Sequence, residues 1–420
     1  MFIHVVGICG LVLVFLVGTL RPINLGALAL VMTFFVSTIF VGEGTKEIYT
    51  GFPVDLLVLL TGVTYLFAIA ESNGTVGRVV EGAARLVQDR RALIPWLVFI
   101  VAALPAMAGA LGSAGVALLA PLALRLARRS NIDRRMIGLM VVHGAACGNF
   151  SPLNVLGAIV TQAVWRNGLQ ISVAKLFLAN LVFNLALAAV IYMVFGGLRL
   201  NWRSAGVAEP APAGEPGESP SVPLTRDQVC TLIVILAVAV AAFGFGLNIG
   251  FIALAAAIVL HLIFRASSGK AEQKIAWGVV LLVCGIVTYV AALQRFGTVD
   301  AVGYGIAGLG SPLVTGLLLC VVGAITSAFA SSAGILSALV PLAVPLMARG
   351  EISTTGLVVA LAISATVVDA TPFSTVGALV VANAEDEERA HIYRGLLWWG
   401  AAMVITAPLL TWLIFILPSV

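Results

Sequence analysis

The sequence predicts an all-α integral membrane protein made of two inverted repeats, each with five transmembrane helices and one re-entrant hairpin, with broken helices at the bilayer midplane. Three observations predict it. Of 420 residues 61% are hydrophobic and 10% charged, apolar runs recur along nearly the whole chain, and the second half echoes the first in register. A water-soluble domain of this composition would expose very large apolar patches, so the solvent of these runs is lipid. Runs of about 17–25 residues cross a hydrocarbon core of roughly 30 Å. They must be helical there, because a backbone in lipid has to satisfy its own hydrogen bonds, and they lack the two-residue alternation of barrel strands.

In the first half, full spans are expected near 2–20, 23–41, 53–72, 136–165 and 172–196. The run Phe2–Leu20 has neither a basic n-region nor a small-residue cleavage pattern and reads as a retained helix rather than a secretory signal. The stretch 92–130 begins after Arg90-Arg91, ends at Arg125, Arg128 and Arg129, and holds a Gly-Ala-Leu-Gly-Ser-Ala-Gly patch in its middle. Basic residues at both ends belong on one side of the membrane, so this stretch reads as a re-entrant hairpin with a small-residue tip. Asn201–Thr225, rich in Pro, Gly, Ser and Glu, cannot support a packed core and reads as a flexible cytoplasmic linker between repeats 1–200 and 226–420. The second repeat offers spans near 228–246, 249–264, 275–294, 353–382 and 395–417, and a hairpin near 311–349.

The repeat rests on echoes in a constant order. Asn24-Leu-Gly-Ala-Leu-Ala-Leu30 returns as Asn248-Ile-Gly-Phe-Ile-Ala-Leu254, and Thr64-Tyr65 with Gly74-Thr75-Val76 returns as Thr288-Tyr289 with Gly297-Thr298-Val299. Ser113-Ala114-Gly115 with Pro121 returns as Ser332-Ala333-Gly334 with Pro341, and the decapeptide from Ser151 to Val160 returns from Thr371 to Val380. Five crossings per repeat is an odd number, so the second repeat must enter the membrane upside down. That topology leaves five of the 23 basic residues, Lys46, Arg166, Lys175, Arg295 and Arg349, on one side and all the others on the opposite side. By the positive-inside rule the majority side is cytoplasmic, which places both termini outside a bacterial-type inner membrane.

Several function classes find no support. The five cysteines (Cys9, Cys147, Cys230, Cys284, Cys320) are odd in number, lie in or beside apolar runs and show no CxxC spacing, so neither a disulfide framework nor a zinc site is expected. The net charge of +4 sits in short loops, and Arg125, Arg128, Arg129, Arg134 and Arg135 read as topology anchors and lipid-facing charge rather than a nucleic-acid patch. Glu385–Glu388 reads as a solvated acidic loop. Motifs for ATP-driven transport or for hydrolase chemistry are missing, so no enzyme and no cofactor are expected.

Inverted repeats with interrupted helices place a binding site at the repeat interface, where unwound backbone lines a polar cavity. The interruptions here are the hairpin tips Gly112–Gly115 and Ser331–Gly334 and the proline-containing breaks Gly148–Asn154 and Asp369–Thr375. Facing half-helix N-termini, each with roughly half a positive charge, suit a small anion with two negative ends. Substrate contacts are therefore expected from Ser113, Ala114, Gly115, Ser332, Ala333, Gly334, Asn154 and Ser374. The hard oxygens of Asn149, Ser151, Asp369, Thr371 and Thr375 suit a coupling cation, sodium or a proton. Asp369 lies well inside a span, where a charge needs a partner or a proton; it reads equally as a coupling group or as a cap on a helix break. His143, one turn before the first break, reads as a neutral ring satisfied by a backbone carbonyl, with a proton relay as the alternative.

These tips and breaks resemble the divalent anion/sodium symporters of the ion-transporter superfamily, and the first half is similar to their malonate/dicarboxylate carrier branch. The resemblance spans essentially the whole chain and is strongest over 50–165 and 275–385. In that family each tip carries a Ser-Asn-Thr motif for substrate carboxylates. Here Ser113-Ala114-Gly115 and Ser332-Ala333-Gly334 keep the serine and lack the Asn and Thr. The resemblance implies sodium-coupled uptake of a dicarboxylate such as malonate or a C4 acid, by an elevator motion, in a homodimer. Two alternatives stand beside it: a cation/proton antiporter or oxyanion exporter of the same superfamily, and a membrane scaffold or channel subunit without coupled transport.

Overall fold

A computed structural model describes residues 2–21, 23–78, 91–200, 224–245, 247–299, 301, 311–329 and 331–419. Most of the expected linker 201–225 lies outside the described residues. Among the described residues the principal helices before it are α1 Phe2–Leu20, α2 Leu25–Phe35, α3 Val54–Ser72, α4 Ile94–Met107, α5 Gly112–Arg129, α6 Arg134–Gly148, α7 Val155–Trp165 and α8 Val173–Val194. Those after it are α9 Arg226–Phe245, α10 Ile249–Ile263, α11 Trp277–Arg295, α12 Pro312–Ser327, α13 Ser332–Leu342, α14 Thr354–Val367, α15 Thr375–Ala382 and α16 Asp386–Thr411. Among the described residues five helical stretches are long and apolar enough to cross a membrane: Val54–Ser72, Val173–Val194, Arg265–Arg295, Thr354–Ala382 and Asp386–Ile416. The chain is a multi-pass helical membrane protein.

Local chemistry sets the helix starts. The side chains of Asn24, Asp133, Asn154, Ser172, Asn248, Ser353 and Ser374 each accept a backbone N–H in the following first turn. Two expectations are corrected at the other charged ends. The span expected near 395–417 begins at Asp386, and Glu385–Glu388 is its N-cap and first turn rather than a loop. Three acids there complement the positive end of the helix dipole. Arg128 pairs with Glu385 and Arg134 with Glu388, tying helix ends together, and Arg135 pairs with Asp133, the N-cap of its own helix, so these three arginines are engaged by acids rather than pointed at lipid.

Packing partners are exchanged between the halves. Helix α2 packs on α11 and α10 on α3; α7 packs on α13 and α15 on α5; α8 packs on α14 and α16 on α6. The first two crossings are made by backbone touching backbone. A Cβ at Gly26 would lie 1.9 Å from Leu281 O, and one at Gly285 would lie 2.0 Å from Gly26 O. At the other crossing a Cβ at Gly62 would lie 2.3 Å from Gly250 O. Small residues are the general device for close helix approach in lipid, where apolar burial gives no net drive to associate. At the rim, Arg295 lies 3.0 Å from Glu43, and its guanidinium holds the Glu43 carboxyl below the usual carboxylate range.

Both hairpins are present as paired helices. Ala108–Leu111 joins α4 to α5, and the connection from Ala328 to Ser331 joins α12 to α13. Residues Gly112–Gly115 and Ser332–Gly334, expected at the tips, form the first turn of the second arm in each case. Both arms of the first hairpin clasp α6, and both arms of the second clasp α14. These two central helices are buried along most of their length.

Gly26→Val is expected to cost at least about 3 kcal/mol, because backbone rather than a movable side chain stands in the way. Thermal melting of the detergent-solubilised protein would show a lowered midpoint. Gly77→Ala, where a Cβ meets nothing within 4 Å, should leave the midpoint unchanged.

Candidate functional site: two helix breaks against two hairpins

Each central helix stops in the middle of the bundle and restarts after a proline-containing break. Helix α6 ends at Gly148 and α7 begins at Val155, while α14 ends at Val367, continues as a 3-10 turn over Val368–Ala370, and gives way to α15 at Thr375. A helix end buried without partners leaves carbonyl and N–H groups unsatisfied. The breaks solve this by reaching into the hairpins.

The two solutions correspond. Ser151 Oγ donates to Met107 O at 2.7 Å, and Thr371 Oγ1 donates to Ala328 O at 2.8 Å. Each ties a break to the end of its hairpin's first arm. Asn154 caps α7 through its Oδ1, 2.9 Å from Leu156 N, and donates its Nδ2 to Ala106 O and Ala110 O. Ser374 caps α15, accepting Gly377 N–H and donating to Asp369 O and Thr371 O. The side chains of Asn154, Ser374, Ser151 and Thr371 are thus engaged inside the protein, and all four are buried. Thr375 is exposed, and Ser113 and Ala114 are partly exposed while Gly115 and Gly334 are buried.

Asp369 and Ser332 come together. Ser332 Oγ lies 2.7 Å from both carboxylate oxygens of Asp369, and Ser327 Oγ donates to Ser332 at 3.0 Å. Beside them Phe329 and Phe373 stack with centroids 5.5 Å apart, both about half exposed, and Tyr393 meets Phe373 edge-on. At the register that aligns Ser151 with Thr371, Asp369 aligns with Asn149. Asn149 is buried, and its Oδ1 has no hydrogen-bond partner among the described residues. A Cβ at Gly112, the first residue of α5, would lie 3.9 Å from that oxygen.

His143 is satisfied by side chains, which corrects the expected backbone carbonyl. The Trp399 indole, a donor only, gives its N–H to His143 Nε2 at 2.8 Å, so the neutral ring keeps its proton on Nδ1 and donates to Asn184 Oδ1 at 3.1 Å. Asn184 in turn donates to Asn180, whose Nδ2 serves Ala146 O, Cys147 O and Asn149 O at 2.9, 3.2 and 3.0 Å. Carbonyls at the end of α6 and in the break are thus served from α8, Ala146 O alongside the backbone N–H of Asn149. Sequence reasoning missed Asn180, Asn184 and Trp399. The signal was there: two amides four residues apart in an apolar span share one helix face. At the same register Asn180 aligns with Gly400, where a Cβ would lie 2.4 Å from Thr371 Cγ2; α16 therefore approaches its break with backbone instead of an amide. Phe150, buried in the first break, adopts a left-handed φ of 63°, a conformation costly for a bulky side chain and found mainly where function holds the backbone.

A separate cavity of about 510 Å³, lined by residues including Tyr65, Leu254, Glu272 and Trp277, shares no residue with either break.

Fold and hydropathy define a multi-pass membrane protein with the fold of a known transporter. The structure of the YdaH transporter of Alcanivorax borkumensis matches with a TM-score of 0.62 and 14% identity, covering 88% of this chain and 87% of that one. Residues 1–149 match the family described as dicarboxylate carrier protein MatC N-terminus, a stretch that takes in the first hairpin and α6 up to the break. No curated protein matches.

Removing the Asn180 amide takes the donor from Cys147 O and Asn149 O and one of two donors from Ala146 O, at a cost of about 1–3 kcal/mol for each stranded carbonyl if no water replaces it. Asn180→Ala is expected to lower the melting midpoint well below that of the wild type. Ala→Ser at a lipid-facing position should not move it, which makes the loss specific to the break.

Proposed function

We propose that the protein is a secondary active transporter that couples a cation gradient to uptake of a small dicarboxylate, with sodium placed ahead of protons and malonate or a C4 acid as substrate. The observation that carries the reading is the pair of breaks, each pinned by a hydroxyl to the end of a hairpin arm, Ser151 to Met107 and Thr371 to Ala328. Interrupted helices facing hairpins form the binding architecture of inverted-repeat transporters, with half-helix N-termini for anions and freed carbonyls for cations. The match of the first 149 residues to a dicarboxylate carrier family supports the substrate class.

An inverted repeat is further supported by the exchanged packing partners and by the glycine crossings, since Gly26 and Gly250 stand at the echoed positions of the two halves. The hairpins read as re-entrant, the halves 1–200 and 226–420 as the repeats, and alternating access as an elevator movement of hairpins and breaks, in a homodimer. The proposed division of the loops between two sides of the membrane has support at the surface, and the excess of basic residues on one of them puts both termini outside. Arg166–Asp55 and Arg295–Glu43 join residues assigned to the outer side, and Lys274–Glu71, Arg128–Glu385 and Arg134–Glu388 join residues assigned to the inner side. Asp369 is the one feature that favours exchange of cations instead, the chemistry of an antiporter.

Radiolabelled malonate or succinate should accumulate in proteoliposomes holding the purified protein when an inward sodium gradient is imposed, with a proton gradient as the comparison. Absence of gradient-driven uptake of any small carboxylate would sink the reading. Cation exchange without carboxylate flux, lost in Asp369→Asn, would put the antiporter in its place.

A further inference from the structure

The two breaks differ in charge at one aligned position, each beside the first turn of its hairpin's second arm. In the first, the residue at the break is Asn149, a neutral amide whose Oδ1 is buried without a partner beside the start of α5. In the second, the aligned residue is Asp369, whose two oxygens each lie 2.7 Å from Ser332 Oγ in the first turn of α13. A helix N-terminus in a low-dielectric setting is an anion site. At the second tip the protein's own carboxylate already holds it.

Resting on the transport reading above, we propose that Asp369 is an intramolecular competitor for the ligand's second carboxylate and so sets the specificity of the site. The first tip receives a carboxylate directly, since the Asn149 amide can turn to present its Nδ2 and carries no charge. At the second tip the ligand meets a carboxylate that already holds the Ser332 hydroxyl. Two carboxylates in one small site repel strongly. A dianion gains that tip only by displacing Asp369 from Ser332. An acid with one carboxylate and an uncharged end has no such competitor, and the half-exposed Phe329–Phe373 stack gives its apolar end a wall. No ion pair among the described residues neutralises Asp369. Asp369 thus holds the affinity for full dianions below the capacity of the two tips and narrows the margin by which the site prefers a dicarboxylate over an acid with one carboxylate.

The aligned amide also shows that the fold accepts an Asn at this place, which makes Asp369→Asn a conservative probe. Binding of succinate and of butyrate, which share a chain length and differ by one carboxylate, would be measured by calorimetry on the purified full-length protein. The expected result is a shift in preference: Asp369→Asn gains affinity for succinate over butyrate relative to the wild type. Asn149→Asp, which copies the second tip onto the first, loses it. Equal or weaker succinate binding by Asp369→Asn overturns the proposal, because a carboxylate that holds a cation or supports the site would have been needed. Should Asp369→Asn fail to fold, Asn149→Asp decides alone, and an unchanged succinate preference there also overturns it. If wild type and both variants bind no carboxylate at all, the transport reading falls and takes this one with it; succinate binding by the wild type with unshifted variants removes only this one.

Discussion

Unwound backbone in the middle of a membrane bundle has to find hydrogen bonds without water, and the rest of this structure follows from how it does so. Each break releases several carbonyls and N–H groups into a setting where an unmade bond costs far more than a made one gains. Hence the hydroxyls of Ser151 and Thr371 reach into the hairpins, the side chains of Asn154 and Ser374 cap the restarting helices, and Asn180 serves three carbonyls from a neighbouring helix. The hairpins are in turn held by the same bonds, so each break and its hairpin form one connected polar unit.

The halves solve the problem differently in detail. The first break relies on a chain of side chains that runs from Trp399 through His143 and Asn184 to Asn180, linking α16 to α6 and α8. Trp399 lies 256 residues from His143, so the first break is steadied from the far half of the chain. The second break relies on closeness: Gly400 admits Thr371 against the α16 backbone, and Asp369 bonds to the hairpin directly. One break is neutral and the other carries a carboxylate. A ligand spanning both would meet two different chemical ends, even though the backbone around them is built to one plan.

Much of this was legible in the residues. The apolar runs fixed the helices because lipid leaves the backbone no other solution, and the spans near 2–20, 53–72 and 172–196 match α1, α3 and α8 to within two residues. Pro152 and Pro372, lacking an N–H, marked both breaks, and glycine-rich patches marked the hairpin turns. The acidic run Glu385–Glu388 misled, since local composition suits a loop and a helix N-terminus equally; the distant partners Arg128 and Arg134 decided between them. His143 was visible as a buried titratable group, but its partners lie 41 and 256 residues away in the chain and no local pattern points to them.

By itself, the sequence determined what kind of solvent the chain lives in, which segments are helical and where those helices break, because each of these depends on hydrophobicity or proline chemistry along the chain. Only the tertiary structure decided which side chains satisfy the breaks, that Asn154 and Ser374 face inward as caps, and that Asp369 rests on Ser332 while the Asn149 Oδ1 has no partner among the described residues. Hydrogen bonds between distant residues depend on directions and distances that only folding sets, and a linear pattern holds no record of them.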